Sequence, residues 1–191
     1  KIIIAGGQEN MSLAPHAIHL RDGKKLGDTK MTDTMIKDGL WDAFHGYHMG
    51  VTAENVAEKF QVTREEQDIF ALKSQEKALK AQKQNRFKEE IINFKIKSKK
   101  ADIDFNIDEH PREGINIDAL TRLKPVFKKD GTVTAGNASG INDGAAAVTL
   151  MASEEAAKRK LEKLVKIKSW ASCGVDPALM GTGPIPSSKK A

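Results

Sequence analysis

The stretch Thr132-Val-Thr-Ala-Gly-Asn-Ala-Ser-Gly-Ile-Asn-Asp-Gly-Ala-Ala-Ala147 carries the most information about the fold. Small residues occupy nearly every position, which indicates a close approach of this backbone to another backbone or to a ligand. The run Ala145-Ala-Ala-Val-Thr-Leu-Met151 is too apolar for an exposed helix and predicts a fully buried strand. A polar, glycine-punctuated turn that leads into a buried strand is a usual place for a ligand, so the stretch predicts a small-molecule site beside the core.

The composition is that of a soluble globular protein. The chain has 191 residues, of which 39% are hydrophobic and 30% charged, enough for one sizeable core or two modest ones. It contains no run near the roughly 18 apolar residues of a membrane span and no secretion leader, so no membrane association is expected. One cysteine excludes an internal disulfide framework and favours a reducing compartment, the cytoplasm or, in a eukaryote, the mitochondrial matrix. The chain starts at Lys1 within an apparent strand, which predicts a segment of a longer protein.

The net charge of +5 is compatible with nucleic acid, an anionic surface or a phosphorylated ligand as partner. The lysines are interleaved with acidic residues, which favours an ordinary solvated surface. Aromatic residues make up only 5% of the chain, and single-stranded nucleic acid would require more of them beside a basic groove. No nucleic-acid partner is therefore expected, although a basic nucleic-acid binder stays a competing class.

The first half of the chain predicts one strand, an irregular stretch and two helices. Ile2 to Ala5 predicts a buried strand, and the irregular stretch from Glu9 to about Leu40 is typical of a functional or interaction arm. Thr52 to Phe60 predicts a short helix. The capping box Thr63-Arg-Glu-Glu66 opens a second helix that runs to about Asn85. Its predicted buried stripe consists of Ile69, Phe70, Leu72, Ala78, Leu79 and Ala81.

Two alternating runs, Ile92 to Ile96 and Ile103 to Ile107, predict half-buried strands that pair as a hairpin across residues 98–100. A metal site is an alternative interpretation of the acidic residues there, which are Asp102, Asp104, Asp108 and the neighbouring His110. Alternation places the aspartates on the solvent face, so no metal is predicted.

The end of the chain predicts a helix capped by Ser153 and running to about Lys160, a strand from Leu164 to Ser172, a tight loop from Pro177 to Pro184, and a helix that Pro186 and Ser187 would start. The whole pattern is α/β. A block of about 130 residues, 11–140, separates the first strand from the strand after Asn137 and predicts a lobe inserted into a layered core.

Four phrases, in order along the chain, resemble the thiolases. They are Gly6-Gly-Gln-Glu-Asn-Met-Ser12, His48-Met-Gly-Val-Thr-Ala-Glu-Asn-Val-Ala57, the glycine-punctuated stretch from Gly131 to Ala147, and Pro177-Ala-Leu-Met-Gly-Thr-Gly-Pro-Ile-Pro186. Within the family the chain is most similar to the biosynthetic acetyl-CoA acetyltransferases, because His48 stands before Met49-Gly50 where long-chain thiolases tend to carry proline.

The resemblance implies a thiolase-like layered αβαβα core, present here in part, with an inserted α+β loop domain. Residues 1–10 would end the N-terminal half, and residues 11–140 would form the loop domain, with a tetramerisation arm at about 20–41. Residues 141–152 would be the last strand of the N-terminal half, and residues 153–191 the start of the C-terminal half.

The resemblance also implies that the loop domain binds coenzyme A. Ser139 looks like the serine that hydrogen-bonds the pantetheine, Ala135 and Phe127 like neighbours of the adenine and pantetheine, and Arg112 like an arginine near the nucleotide end. The residues that resemble the lining of the acyl end are Leu40, His48, Met49 and Met180. Ala119 stands where close relatives have a serine that contacts the nucleotide, which should weaken one polar contact.

Structural roles remain open for several of these residues on the sequence alone. Met49 and Met180 are equally suited to filling a core, His48 to a satisfied interior position, and Ser139 to a simple turn. Gly181-Thr-Gly183 lacks the lysine and the spacing of a phosphate loop, so packing is the better interpretation.

The family reaction is a reversible Claisen condensation of two acetyl-CoA molecules to acetoacetyl-CoA and coenzyme A through an acetyl-cysteine. Coenzyme A is then substrate and product, with no permanently bound cofactor, and the parent would form a homodimer or homotetramer. The resemblance places the nucleophilic cysteine before Lys1 and the histidine and second cysteine after Ala191, so this chain alone is expected to be inactive. Cys173 is expected to be a buried, inert thiol. The alternatives are a 3-ketoacyl-CoA thiolase of broader chain length and a non-catalytic acyl-CoA-binding relative.

Overall fold

The computed structural model of the protein describes residues 1–21 and 23–191. They form two compact units. The split unit consists of Lys1–Val56 and Ile141–Ala191, and the central unit consists of Ala57–Gly140. The assignment of residues 11–140 to one inserted domain stays a prediction, and Asp22, inside the predicted arm, lies outside the described residues.

A long antiparallel pair organises the split unit. Strand β1 (Ile2–Asn10) pairs with β8 (Asp143–Met151), from Ile2 opposite Met151 to Asn10 opposite Asp143. A Cβ atom on Gly6 would lie 2.5 Å from the Ala146 carbonyl oxygen, so only glycine fits there. Beyond the last pair, the Ser12 hydroxyl and backbone N–H donate to the Asp143 carboxylate, and these hydrogen bonds lower the pKa of Asp143.

The prediction that these two strands are buried is wrong for this chain. Ile4 is 77% exposed, and nearly all of β1 and β8 is exposed. Among the residues that the structure describes, the sheet has these two strands only, and a two-stranded ribbon cannot bury both of its faces. The strand predicted over 164–172 is also absent: the segment contains no regular structure, and Leu164 is 90% exposed.

The other elements of the split unit are short. They are β2 (His16–Ala17) paired with β3 (Thr32–Asp33), a π-helix (Met35–Leu40), β4 (Trp41–Asp42) paired with β5 (Tyr47–His48), and, near the end of the chain, α4 (Ser153–Lys158), a 3₁₀ helix (Pro177–Thr182) and α5 (Pro184–Lys190). Ser153 is the first residue of α4 and Ala152 occupies the cap position without a side-chain bond, so the predicted cap is wrong by one residue. Helix α5 begins at Pro184, two residues before the predicted start.

Three helices flank a hairpin in the sequence. Helices α1 (Met49–Phe60) and α2 (Arg64–Lys83) precede the hairpin of β6 (Phe94–Ile96) and β7 (Ile103–Phe105), and α3 (Ile117–Thr121) follows it. The predicted hairpin is confirmed, with Phe94 opposite Phe105. Its predicted half-burial is wrong, because both strands are exposed. The capping box is confirmed: the Thr63 N–H donates to Glu66 Oε2 at 2.8 Å, and the Glu66 N–H donates to Thr63 Oγ1 at 3.2 Å.

The stripe predicted for α2 is half-buried at five of its six positions, and the exception is Phe70, which is 77% exposed. The fully buried side chain of the helix is a charged one, Asp68. Leu120 and Thr134 are fully buried in the same unit. The core of the central unit therefore forms where α2, α3 and the segment around Thr134 meet.

Replacing Glu66 with glutamine should remove a pH-dependent part of the stability. Hydrogen bonds from the Thr63 backbone N–H and then from its hydroxyl lower the pKa of Glu66 below 4.5. A carboxyl group with a lowered folded-state pKa contributes stability that is present above its unfolded pKa and is lost as the pH falls through the folded value. We expect the Tm difference between the unaltered protein and Glu66→Gln to be largest near neutral pH and to shrink below pH 4.5.

Thermal unfolding followed from about pH 3.5 to about pH 7 measures this difference. Glu65→Gln removes a charge from the same helical turn and serves as the control. A Tm difference for Glu66→Gln that stays constant over this range would contradict the prediction.

Candidate functional site

A buried acidic side chain ties the loop of residues 132–139, called here the ligand loop, to helix α2. Asp68 has 0% relative exposure. Its Oδ2 accepts a hydrogen bond from Arg64 Nε at 2.7 Å, and its Oδ1 accepts one from Asn137 Nδ2 at 3.0 Å. Gln67 Nε2 adds a hydrogen bond to Thr132 Oγ1 at 2.9 Å. One face of α2 thus holds both ends of the turn that precedes Ser139.

The ligand loop is also braced from within. Asn137 Nδ2 donates to the Thr132 carbonyl at 3.1 Å, and Asn137 Oδ1 accepts from the Thr134 N–H at 2.7 Å. The Ala138 N–H donates to the Thr134 carbonyl at 3.0 Å. Ala135 and Ser139 belong to this braced loop, and both are exposed. The loop therefore presents them from a backbone of defined shape.

Close packing fixes the underside of the ligand loop. A Cβ atom on Gly136 would lie 2.6 Å from Leu120 Cδ2 and 2.6 Å from Leu123 Cδ1. Arg64 Nη2 donates to the carbonyl oxygens of those same two leucines, at 2.8 and 3.0 Å. The Val126 N–H donates to the Val133 carbonyl, which ties the segment before Phe127 to the loop. Phe127 itself is half-buried.

The second half of α2 holds the segment that carries Arg112. Gln75 Oε1 accepts from the Arg112 N–H at 2.9 Å. Gln82 Nε2 donates to the Asp108 carbonyl at 2.9 Å, and Lys83 pairs with Glu113 at 2.9 Å. Asp68 and Gln75 are seven residues apart, which is about 10 Å along a helix. One helix therefore positions the ligand loop and the exposed Arg112 two turns apart.

In the split unit, the structure brings together the segments that carry the four residues predicted for the acyl end. Leu40 ends the π-helix next to Trp41, which pairs with His48. Asn55 Nδ2 donates to Tyr47 Oη at 3.3 Å and to the Ala178 carbonyl at 3.1 Å, joining α1 to the 3₁₀ helix that contains Met180. His48 Nδ1 accepts from the Gly50 N–H at 2.9 Å, at the start of α1 beside Met49.

Asp42, which is buried, supports the hairpin of β4 and β5. Its Oδ2 lies 2.8 Å from His45 Nδ1, and the His45 ring stacks on Tyr47 with centroids 5.4 Å apart. Burial would raise the pKa of Asp42, but hydrogen bonds from the Phe44 N–H and from His45 together hold it below its ordinary value. The hydrogen bonds of the Asp42 carboxylate to Phe44 and His45 brace the turn that precedes His48.

Sequence reasoning missed Arg64, Asp68, Asn137 and Asp42. The available signal was the spacing of Arg64 and Asp68, an i, i+4 pair near the start of a predicted helix. Cys173 is half-buried, so the prediction of a buried thiol is wrong. Within the described ranges, no group of three His, Cys, Asp or Glu side chains is placed to hold a metal, and no helix is long and apolar enough to cross a membrane.

The fold and these segments match a known family. Residues 1–154 match the model of the thiolase N-terminal domain. The chain belongs to the thiolase family, and its fold is the thiolase-like α/β fold expected from the four phrases.

Within that family, the chain is similar to proteins named acetyl-CoA acetyltransferase. It is 62% identical to the one from Rhizobium meliloti (strain 1021) and 53% identical to the cytosolic one from Rattus norvegicus, covering 100% of this chain and 49% and 48% of those proteins. The chain thus spans about half the length of the curated relatives it matches.

Solved structures agree. The Bacillus anthracis acetyl-CoA acetyltransferase superposes with a TM-score of 0.93 at 44% identity, and human mitochondrial 3-ketoacyl-CoA thiolase with 0.92 at 40%. They cover 99% and 100% of this chain and 48% of each solved chain. The roles of single residues toward coenzyme A stay predictions.

Proposed function

We propose that this chain is the coenzyme A-binding part of an acetyl-CoA acetyltransferase, which condenses two acetyl-CoA molecules to acetoacetyl-CoA and coenzyme A. The observation that carries the proposal is that one helix, α2, braces the ligand loop that exposes Ser139 and also holds the segment that carries Arg112. The names of the relatives at 53–62% identity support the reaction. We also propose a cytoplasmic homodimer or homotetramer for the whole protein, with neither nucleic acid nor membrane as partner.

The chemistry of coenzyme A suits the residues of the central unit. Coenzyme A has phosphates and an adenine at one end, and a guanidinium group binds phosphate in a fork and stacks on flat rings. Arg112 is exposed and its backbone is held by Gln75, so it would serve this nucleotide end. The pantetheine arm carries amide groups, and the Ser139 hydroxyl both donates and accepts hydrogen bonds. Phe127 and Ala135 would provide the apolar contacts beside it.

The split unit carries the residues that the family resemblance assigns to the acyl group. Leu40, Met49 and Met180 offer apolar and flexible side chains, which suit a short acyl chain. The hydrogen bond from the Gly50 N–H to His48 Nδ1 fixes the orientation of the imidazole ring. These four residues would hold the acyl group in place, while the covalent chemistry would follow the acetyl-cysteine route that the family resemblance implies.

Replacing Ser139 with alanine should raise KM for coenzyme A in the thiolysis of acetoacetyl-CoA. One lost hydrogen bond corresponds to about 0.5–1.5 kcal/mol, or about 2- to 13-fold in KM, with little change in kcat. Steady-state kinetics of the intact protein measure both constants. Ser98→Ala, in the exposed turn between β6 and β7, is the matched control and should leave KM unchanged. An unchanged KM in Ser139→Ala would remove Ser139 from the site.

A 3-ketoacyl-CoA thiolase of broader chain length is the second candidate. The observation that favours it is the superposition on the human mitochondrial 3-ketoacyl-CoA thiolase at a TM-score of 0.92. Comparing kcat/KM for acetoacetyl-CoA with that for a longer 3-ketoacyl-CoA distinguishes the two. The first proposal expects a clear preference for acetoacetyl-CoA.

A further inference from the structure

We propose that Asp68 is a positioning residue for coenzyme A binding. Acting through Asn137, it holds the ligand loop in the conformation that presents Ser139 to the pantetheine arm. The inference rests on the proposed function, and it assigns a role to a residue that is itself too deeply buried to touch a ligand.

The burial of Asp68 requires an explanation in terms of its partners. A carboxylate removed from water is tolerated only when its oxygens are hydrogen-bonded or paired. Asp68 meets this condition with one partner on its own helix, Arg64 at 2.7 Å, and one on the loop, Asn137 at 3.0 Å. The loop partner is 69 residues away in the sequence, so the carboxylate joins two segments that no local pattern connects.

Asn137 converts this contact into a definite loop shape. Its Nδ2 donates twice, to Asp68 Oδ1 and to the Thr132 carbonyl, and its Oδ1 accepts from the Thr134 N–H. Both amide hydrogens are used, and the oxygen is used as well. If the amide rotated by half a turn, an oxygen would face the carboxylate and an NH₂ group would face the Thr134 N–H.

The Asp68 carboxylate, which is paired with Arg64, favours one of these two orientations. A carboxylate only accepts hydrogen bonds, so the NH₂ side of Asn137 must face it. A neutral amide at position 68 would donate as well as accept, so position 68 would no longer oppose the rotated Asn137 amide, and only the backbone groups of Thr132 and Thr134 would still oppose it. A well-packed apolar residue often serves stability as well as a buried ion pair does, so directionality is what the charge adds here.

A change in the orientation of Asn137 is expected to affect Ser139, because the two residues are close in the chain. Ser139 lies two residues after Asn137, and Gly136 between Thr134 and Asn137 is packed against Leu120 and Leu123. The backbone therefore has little room for a compensating shift. A loop that loses the Asn137 orientation should present the Ser139 hydroxyl in several positions instead of one, and this should weaken coenzyme A binding.

The experiment compares Asp68→Asn, Asn137→Ala, the double variant and Thr63→Ala in the intact protein. Thr63→Ala removes the side-chain hydrogen bond that caps α2. This bond lies outside the ligand loop, so the variant is the control for loss of stability alone. We expect KM for coenzyme A to rise in Asp68→Asn and in Asn137→Ala by up to the increase expected for Ser139→Ala, with kcat changed less and with KM of Thr63→Ala unchanged. The double variant should match Asn137→Ala, because Asp68 acts through Asn137.

Hydrogen exchange without coenzyme A separates this inference from the proposed function. The amides of Thr134, Gly136, Asn137 and Ala138 should exchange faster in Asp68→Asn than in Thr63→Ala. Unchanged exchange there, or additive effects on KM in the double variant, would overturn the inference. If the unaltered protein binds no coenzyme A, the proposed function fails and the exchange rates alone decide whether Asp68 positions the loop. Should Asp68→Asn not fold, Asn137→Ala, which leaves the pair of Arg64 and Asp68 in place, is compared with Thr63→Ala by the same two measurements.

Discussion

Replacing Arg64 with alanine should destabilise the protein by about 3–5 kcal/mol. The substitution leaves the fully buried Asp68 carboxylate with Asn137 alone, and an uncompensated buried charge is among the most costly defects in a protein. It also removes the donor to the carbonyl oxygens of Leu120 and Leu123, which lie 56 and 59 residues away in the sequence. The loss should appear as a lower urea midpoint for unfolding of the intact protein.

A matched pair elsewhere in the chain provides the control. Arg159 pairs with Glu155 at the same i, i+4 spacing and through the same Nε atom, but both side chains are accessible to water. Exposed pairs contribute little, so Arg159→Ala should cost no more than about 0.5 kcal/mol. Similar losses for the two variants would show that burial of Asp68 does not govern the strength of its pair.

Replacing Leu120 with alanine should destabilise the protein by about 2–5 kcal/mol. Leu120 is 1% exposed and is the best-buried apolar side chain among the described residues. Its Cδ2 atom packs against the backbone of Gly136, so truncation would open a cavity directly beneath the ligand loop. The cost combines the lost transfer free energy with the cavity that remains.

Leu123→Ala tests the same substitution in a more exposed position. Leu123 is 37% exposed, although it also packs near Gly136 and also accepts a hydrogen bond from Arg64. Water can fill the space that this truncation leaves, so the loss should be about 1 kcal/mol. Urea unfolding of both variants measures the two losses. Equal losses would contradict the assignment of Leu120 to the centre of the core.

The regular elements that were predicted correctly depend on residues close in the sequence. The capping box requires only Thr63 and Glu66. Helix α2 is predicted from this box and from the residues that follow the box in the sequence. The hairpin of β6 and β7 follows from alternation on both sides of a short turn. The family follows from four phrases whose order along the chain is itself a sequence property.

The wrong predictions of a strand over 164–172 and of buried side chains have a common physical origin. Strand formation over 164–172 needs a neighbouring strand to supply hydrogen bonds, and a local apolar run does not supply one. Strands β1 and β8 would be buried only if other layers packed on both faces of the pair. Their pairing with each other requires only the hydrogen bonds between the two strands. Phe70 was placed on a buried stripe by helical periodicity, which says nothing about what packs against that face.

The candidate site shows the same division between local and distant causes. The glycine-punctuated ligand loop and the capping box can be predicted from the amino acids, because each rests on steric preferences or hydrogen bonds within a few residues. The family can be predicted from the four phrases and their order along the chain. The bracing of that loop by Asp68 and Arg64 is seen only in the tertiary structure. It joins side chains 69 residues apart, and nothing in the local composition around either end says which distant partner will satisfy a buried charge.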